Sequence, residues 1–288
     1  MKLSLCLATH NEASNIHYPL DSTYNWVDEV IIVDGKSTDA TVEKAKSYGN
    51  KVKVYLEDNP KMFHINKQKA LRQAQGEWIL QLDADEAISP ELAKEIQKII
   101  HMDEKEMEEY QQNLPNRELF LRHEKILEKK LQVTSYKLQE YNAFFLPRSN
   151  YFLGKFLKYG GVYPDGAIRL IKKGKAHFPC KDVHEIMKVD GKTGWLNNDL
   201  LHYDSPTFER YIARNNRYIE MIASEYKKEK LEKNIFNFIT YVFIKPISWF
   251  LMTTIRHKGI LDGWQGIVFS FFSALRFPKA YMKFMRQS

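Results

Sequence analysis

The sequence predicts an α/β protein with a Rossmann-like, mostly parallel central sheet and a C-terminal helical extension. Three observations carry that expectation. Short apolar runs alternate with amphipathic stretches through the first hundred residues. Each apolar run stops on a cluster of polar, turn-forming residues. Beyond Thr207 the pattern turns to helical spacing and stays there.

Taken in order, Leu3–Ala8, Glu29–Val33, Lys53–Leu56 and Trp78–Leu82 read as strands, and Ala40–Tyr48, Lys67–Ala74 and Pro90–Ile100 have helical spacing. That alternation is the mark of βαβ units. Ligands of such sheets bind at the carboxyl ends of strands, which directs attention to Thr9-His10-Asn11-Glu12, to Asp34-Gly35-Lys36-Ser37-Thr38-Asp39 and to Asp83-Ala84-Asp85-Glu86. From Met102 to Glu140 the chain is rich in Glu, Lys and Gln and broken by Leu114-Pro115-Asn116, which reads as a charged helical insertion with a solvated surface and no chemistry. Ala143 to Tyr203 returns to strand and loop. Thr207 to Lys233 reads as a long polar helix, followed by a pair of aromatic-rich helices ending at Arg286. The expected organisation is one α/β domain over 1–205, made of halves 1–100 and 141–205 around the insertion 102–140, and an amphipathic helical region over 206–288.

With 288 residues, 44% of them hydrophobic, the chain can fill a sizeable core. Its 43 Lys and Arg against 36 Asp and Glu give a formal charge of +7, which suits an anionic partner such as a nucleotide, a phospholipid surface or nucleic acid. Cys6 and Cys180 are far apart and lack metal-ligand spacing, so a reducing compartment is expected, without disulfide framework or zinc site. Met1 to Thr9 is a strand-like run rather than a secretion signal, so the expected location is the cytosol. Apolar density peaks over Ile235 to Ile255 and Gly259 to Phe277. Lys245-Pro246 is expected to cut the first run in half, so that neither reads as a clean membrane span.

The sharpest chemical signal is Leu80-Gln81-Leu82-Asp83-Ala84-Asp85-Glu86, an apolar strand that stops on two carboxylates one residue apart. Carboxylates so placed can share a hard cation, Mg²⁺ or Mn²⁺, that bridges phosphate oxygens and neutralises a departing diphosphate. Together with Thr9-His10-Asn11-Glu12 and Val33-Asp34-Gly35-Lys36-Ser37-Thr38-Asp39-Ala40-Thr41, in that order, this motif resembles the donor half of family 2 glycosyltransferases with the GT-A fold. The resemblance implies that the loop holding Thr9, Asn11 and Glu12 wraps the nucleoside, that Asp34 reads the base, that Asp83 with Ala84 holds the ribose region and that Asp85 ligates the metal. Lys67 matches a basic position ahead of the metal strand; Gln68 stands where relatives often carry Asn.

Downstream, Arg148-Ser149-Asn150-Tyr151-Phe152-Leu153-Gly154, Tyr159-Gly160-Gly161-Val162-Tyr163-Pro164-Asp165, Ile168-Arg169-Leu170, Val183-His184-Glu185 and Leu201-His202-Tyr203 resemble a bacterial branch similar to lipopolysaccharide-core β-glucosyltransferases. An inverting transfer needs a general base near the acceptor hydroxyl. Glu185 matches the carboxylate that relatives use, with His184 and Asp182 next in line. His202 resembles the late histidine that closes the metal or diphosphate site; a structural role competes with that reading. Arg169 offers a planar fork for phosphate or an anionic acceptor, and Gly160-Gly161 would let backbone approach the sugar.

The resemblance thus implies a UDP-sugar donor, with glucose the first candidate, a glycan or lipid-linked acceptor, and no nucleic-acid partner. The aromatics and basic residues after Ile235 fit a helix pair lying in a membrane interface on the inner face of the cell membrane, or packing on the protein or on a second subunit. A nucleotidyltransferase on a similar sheet is the rival enzyme, but it would show a Gly-rich basic loop after the first strand, which Thr9 to Glu12 is not. A nonenzymatic nucleotide-sugar-binding module is the other rival.

Overall fold

The computed structural model describes residues 1–123, 140–181 and 186–286. The chain forms two compact units, one of Met1–Arg148 with Pro164–His202 and one of Ser149–Tyr163 with Tyr203–Ser288. The hairpin region Ser149–Tyr163 therefore belongs with the C-terminal residues.

The first unit opens with β1 (Leu3–Thr9), α1 (His17–Thr23), β2 (Glu29–Asp34), α2 (Thr41–Ser47), β3 (Val52–Leu56), α3 (His64–Gln73), β4 (Trp78–Leu82), β5 (Glu86–Ile88), α4 (Pro90–Ile99) and α5 (Glu104–Gln112). The first four strands lie in the order β3-β2-β1-β4, all parallel. Strands β2 and β4 are buried at every position, which is why they read as unbroken apolar runs rather than alternating ones. β3 is the edge and alternates. The rest of the sheet is supplied by β6 (Tyr141–Phe152), β7 (Lys155–Leu157), β8 (Asp165–Lys172), β11 (Lys192–Trp195) and β12 (Leu200–Ser205), while β9 (Ala176–His177) and β10 (Lys188–Val189) make a separate ribbon. β8 joins β4 antiparallel, β6 joins β8 antiparallel, and β12 runs antiparallel to β5. The sheet is thus parallel where the donor motifs lie and mixed beyond.

Local signals explain the helices. Ser89 caps α4 by accepting from Leu92 N, Pro90 fills its first turn, and Leu92, Ile96 and Ile99 face the core at helical spacing. α5 begins with a capping box in which Asp103 and Glu106 each bond the other's backbone. This part of the expected solvated insertion is packed rather than free. Met107, Leu114 and Phe120 are buried, and the Gln111 amide both donates to Trp195 O and accepts from Trp195 N, each at 2.8 Å. The sequence misleads because three apolar contacts are spread among many charges. The rest of the insertion, 124–139, lies outside the described residues.

The second unit consists of β7 paired antiparallel with the end of β6, α6 (Phe208–Lys228), α7 (Ile235–Arg256), a short turn of helix at Gly259–Asp262, α8 (Trp264–Ala274) and α9 (Arg276–Arg286). The expected helix over Thr207 to Lys233 is α6, capped by Thr207, which accepts from Arg210 N, and it ends at Lys228. Lys245-Pro246 does not break α7. A π turn over Thr240–Ile244 precedes the proline and absorbs the missing N–H, so one helix of 22 residues runs through. Three helices follow α6, not a pair. Phe152, Leu157 and Tyr211 form one small core here; Ile219, Ala223, Tyr226, Tyr241, Ala280, Tyr281 and Phe284 form another.

Candidate functional site

The parallel register places Thr9 beside Asp34 at the carboxyl ends of β1 and β2. Asp34 is 0% exposed. It accepts from Thr9 Oγ1 at 2.7 Å, from Ser37 N at 2.7 Å and from Ser37 Oγ at 2.6 Å. Asn11 takes the left-handed conformation at φ +57°, which Asn tolerates better than most residues. From there its N–H donates to Ser37 Oγ at 2.8 Å, and its side-chain oxygen accepts from Thr38 N at 2.8 Å. Glu12 N donates to Thr41 Oγ1 at 2.8 Å. Two loops remote in sequence are therefore sewn into one shaped rim, with the Asp34 carboxylate as its buried knot.

One strand over, at the end of β4, a cluster of charges is closed on itself. Lys67 from α3 pairs with Asp83 Oδ1. Arg169 from β8 donates to Gln81 Oε1 at 2.7 Å, to Asp83 Oδ2 at 2.6 Å and to Glu86 Oε1 at 2.8 Å. Glu86 is 0% exposed and also accepts from Asp83 N at 3.0 Å. Arg148 reaches Glu86 at 3.4 Å and holds Asp165 in a fork of 3.0 and 2.6 Å. Three cations thus meet three carboxylates, and the cluster is electrically balanced. Burial raises the Asp83 pKa, but Arg169 and then Lys67 outweigh it and hold that carboxyl well below the usual range. The Arg169 fork is committed to these internal partners rather than presented outward.

Asp85 follows that cluster two residues on from Asp83. β12 runs antiparallel to β5 with His202 opposite Glu86, and this register brings His202 Nε2 to 3.6 Å from Asp85 Oδ1. A carboxylate and an imidazole at that separation suit two adjacent positions on one Mn²⁺ or Mg²⁺. The pair supplies two of the donors such a cation would need, and among the described residues no group of three potential ligands converges. Gln68 accepts from Phe178 N at 2.7 Å, so this position ties α3 to a distant loop. Cys6 is buried, with its thiol pKa raised by that burial, and forms no disulfide.

Among the sequence-predicted residues, the structure gathers Thr9, Asn11, Glu12 and Asp34 at one rim, Lys67, Asp83 and Arg169 in the cluster, and Asp85 with His202. Ala84, between the two aspartates in sequence, is buried at 6% exposed. Glu185, His184 and Asp182 lie outside the described residues. Sequence reasoning did not single out Glu86, Arg148 and Gln81. The available signal was that Glu86 follows Asp85 directly and that Gln81 is a polar residue inside an apolar strand.

The glycosyl transferase family 2 pattern matches residues 4–165. An uncharacterised glycosyltransferase of Rickettsia typhi is 28% identical over 297 residues, covering 96% of this chain and 86% of the relative. The lipopolysaccharide core biosynthesis glycosyltransferase LpsC of Rhizobium meliloti is 23% identical over 260 residues, covering 86% and 82%. Among solved structures, S. aureus TarS 1–349 in complex with UDP aligns with a TM-score of 0.44 at 14% identity, covering 98% of this chain and 92% of that one. The matched segment takes in β1 through β7 and so contains the shaped rim, Lys67, the Asp83–Glu86 turn and Arg148, and with it this chain belongs to glycosyl transferase family 2.

Proposed function

We propose that this family 2 glycosyltransferase moves a hexose, glucose in the first instance, from a UDP-sugar to a cell-envelope glycan or lipid-linked acceptor, with inversion at the sugar C1. The observation that carries the reading is the Asp85–His202 pair beside the neutralised Asp83 cluster, at the end of β4 and one strand from the rim of β1 and β2. In this reading the Thr9–Glu12 and Asp34–Thr38 loops receive the nucleoside, and Asp34 acts through the loops it knots rather than by touching the base. Asp83 turns its remaining lone pairs to the ribose, and Lys67 and Arg169 fix it in place.

Mn²⁺ or Mg²⁺ held by Asp85 and His202 would neutralise charge on the leaving diphosphate. Glu185 is assigned as the base: it takes the proton of the acceptor hydroxyl as that oxygen bonds to C1, the C1–O bond to the diphosphate breaks, and UDP leaves with the electron pair. The cell-envelope acceptor is supported by the likeness to LpsC. We further propose that the protein resides in the cytoplasm on the inner face of the cell membrane, which the exposed apolar side chains of α7 support.

The test is turnover with a panel of nucleotide sugars, read as sugar transfer and as slow donor hydrolysis, with and without Mn²⁺. Glu185→Gln should lower kcat by roughly 10²–10⁴-fold with donor affinity little changed. Wild-type turnover in that variant would move the base to His184 or Asp182. A donor other than a UDP-hexose giving the only turnover would overturn the donor assignment.

A further inference from the structure

α7 presents a stripe rather than an apolar cylinder. Ile235, Ile239, Phe243, Ile247, Leu251 and Ile255 recur every fourth residue, and all six are exposed, from 45% at Ile239 to 74% at Ile235. In a regular α-helix that spacing would wind around the axis by about 40° per step. The π turns Thr240–Ile244 and Met252–Arg256 take in extra residues and keep the stripe on one side. The opposite side is occupied by protein. Tyr241 stacks on Tyr281 of α9 with ring centres 5.4 Å apart, Trp249 Nε1 donates to Ser273 Oγ of α8 at 3.1 Å, and Thr253 and Thr254 are buried.

Length does not decide how such a helix meets a bilayer. Its 22 residues have a mean hydropathy of 1.5 and are 6% buried over the most apolar window, and at 1.5 Å per residue they would reach about 33 Å, enough to cross. Lys245 decides against crossing. It sits halfway along, with Nζ 3.6 Å from the centre of the Tyr241 ring on the packed side. A spanning helix would put this ammonium near the bilayer centre, where an ionised side chain is costly to hold. A helix lying flat leaves it on the protein side.

Charge names the surface. Residues 233–288 hold eight of the 43 Lys and Arg but one of the 36 Asp and Glu, so this segment carries the whole formal charge of +7 and the rest of the chain is balanced. The one acid, Asp262, is buried and accepts from the backbone N–H groups of Lys158 and Tyr159. Exposed Arg256 and Lys258 flank the end of the stripe, beyond which Ile260, Leu261 and Trp264 continue the exposed apolar surface.

We propose that the second unit is a monotopic anchor in an anionic phospholipid leaflet, with α7 parallel to the membrane plane and its stripe at the boundary of headgroups and acyl chains. The proposal rests on the membrane residence put forward above and specifies its geometry. Asp262 and the 2.8 Å bond from Gly160 N to His257 O tie this anchor to the Tyr159–Gly161 loop, so seating the anchor also sets that loop.

The full chain, in a Cys180→Ser background, would carry an environment-sensitive fluorophore at a cysteine replacing Ile235, Ile247 or Ile255, with depth read by brominated lipids in vesicles of phosphatidylcholine with or without phosphatidylglycerol. Equal, shallow depth at all three sites, dependent on phosphatidylglycerol and weakened by salt, is the expected result. A gradient deepest at Ile247 would overturn the flat orientation in favour of a spanning helix. Absence of binding, or fluorophores shielded without lipid in a species twice the mass, would overturn the anchor and assign the stripe to a second copy. Ile247→Glu should weaken vesicle partitioning by roughly tenfold or more with the circular dichroism spectrum unchanged; undiminished partitioning of that folded variant would also overturn the proposal. Donor hydrolysis in the same samples keeps the two readings apart, since an active enzyme that fails to bind vesicles loses the anchor and not the glycosyltransferase function.

Discussion

His202 Nε2 stands 3.6 Å from Asp85 Oδ1, although 117 positions separate them, because β12 pairs with β5 in a register that sets His202 opposite Glu86. If the pair holds a divalent cation, Asp85→Asn and His202→Ala should each weaken Mn²⁺ binding by at least roughly tenfold. The unfolding midpoint without metal should change little. Titration followed by the electron paramagnetic resonance of free Mn²⁺ reads this directly, and unaltered affinity in both variants would remove the assignment.

The cluster itself predicts a stability effect. Arg169 satisfies both Asp83 and Glu86, and Glu86 has no exposure through which water could replace the guanidinium. Arg169→Met should therefore cost roughly 3 kcal/mol in urea unfolding, the low end for breaking a buried ion pair, because Arg148 still reaches Glu86 and Lys67 still pairs with Asp83. Adding Glu86→Gln should recover part of that loss. Strict additivity of the two changes would show that the residues are not coupled.

Acid should reach Asp83 late. Its folded pKa is depressed by Arg169 and Lys67, so its stabilising contribution is complete above the ordinary carboxylate pKa and is lost as pH falls through the folded value. The urea midpoint of the wild type should decline below about pH 4, reflecting this group among others. Asp83→Asn should be less stable than wild type at neutral pH, and the two curves should converge at the acid end, where both side chains are uncharged. Parallel curves down to the acid limit would deny Asp83 this role.

Much of the donor half was legible in sequence because parallel strands buried on both faces write themselves as apolar runs, and the loops that follow carry Asn, Asp, Ser and Thr for reasons of turn geometry. α1 was not legible. It has seven residues, includes Pro19 and has no side-chain cap, so neither period nor boundary marks it. The balanced cluster was half legible: Asp83 and Lys67 came with the motif, but Glu86, Arg148 and Gln81 join only when β8 folds back antiparallel beside β4 and β6 antiparallel beside β8. Asp34 shows the same limit differently. Its position at the end of β2 was evident, whereas its complete burial by Thr9 and Ser37 depends on a second loop. In α7, Pro246 was read by its usual effect in a regular helix, and the π turn that accommodates it leaves no mark in composition.

Gly266 offers a sharp test of how tightly the second unit is built. A Cβ at this position of α8 would lie 1.9 Å from Gly259 O and 2.9 Å from Asp262 Cβ, and neither is the far end of a flexible side chain. Gly259 in turn lies against Gly160: a Cβ there would come within 3.3 Å of Gly160 Cα and 2.7 Å of Thr253 O. The turn Gly259–Asp262 is therefore clasped between α8 and the Tyr159–Gly161 loop, and only residues without side chains allow the approach. Gly266→Ala should force the turn outward and cost about 1–3 kcal/mol, as overpacking of a close contact does. The exposed Ser248→Ala should stay within about 0.5 kcal/mol. Asp262→Asn spares the packing but weakens the bonds to Lys158 N and Tyr159 N, so hydrogen exchange should accelerate at those two amides while the amides of α6 keep their protection. Unchanged exchange at Lys158 and Tyr159, or a Gly266→Ala protein as stable as wild type, would mean that the turn is not held as these contacts require.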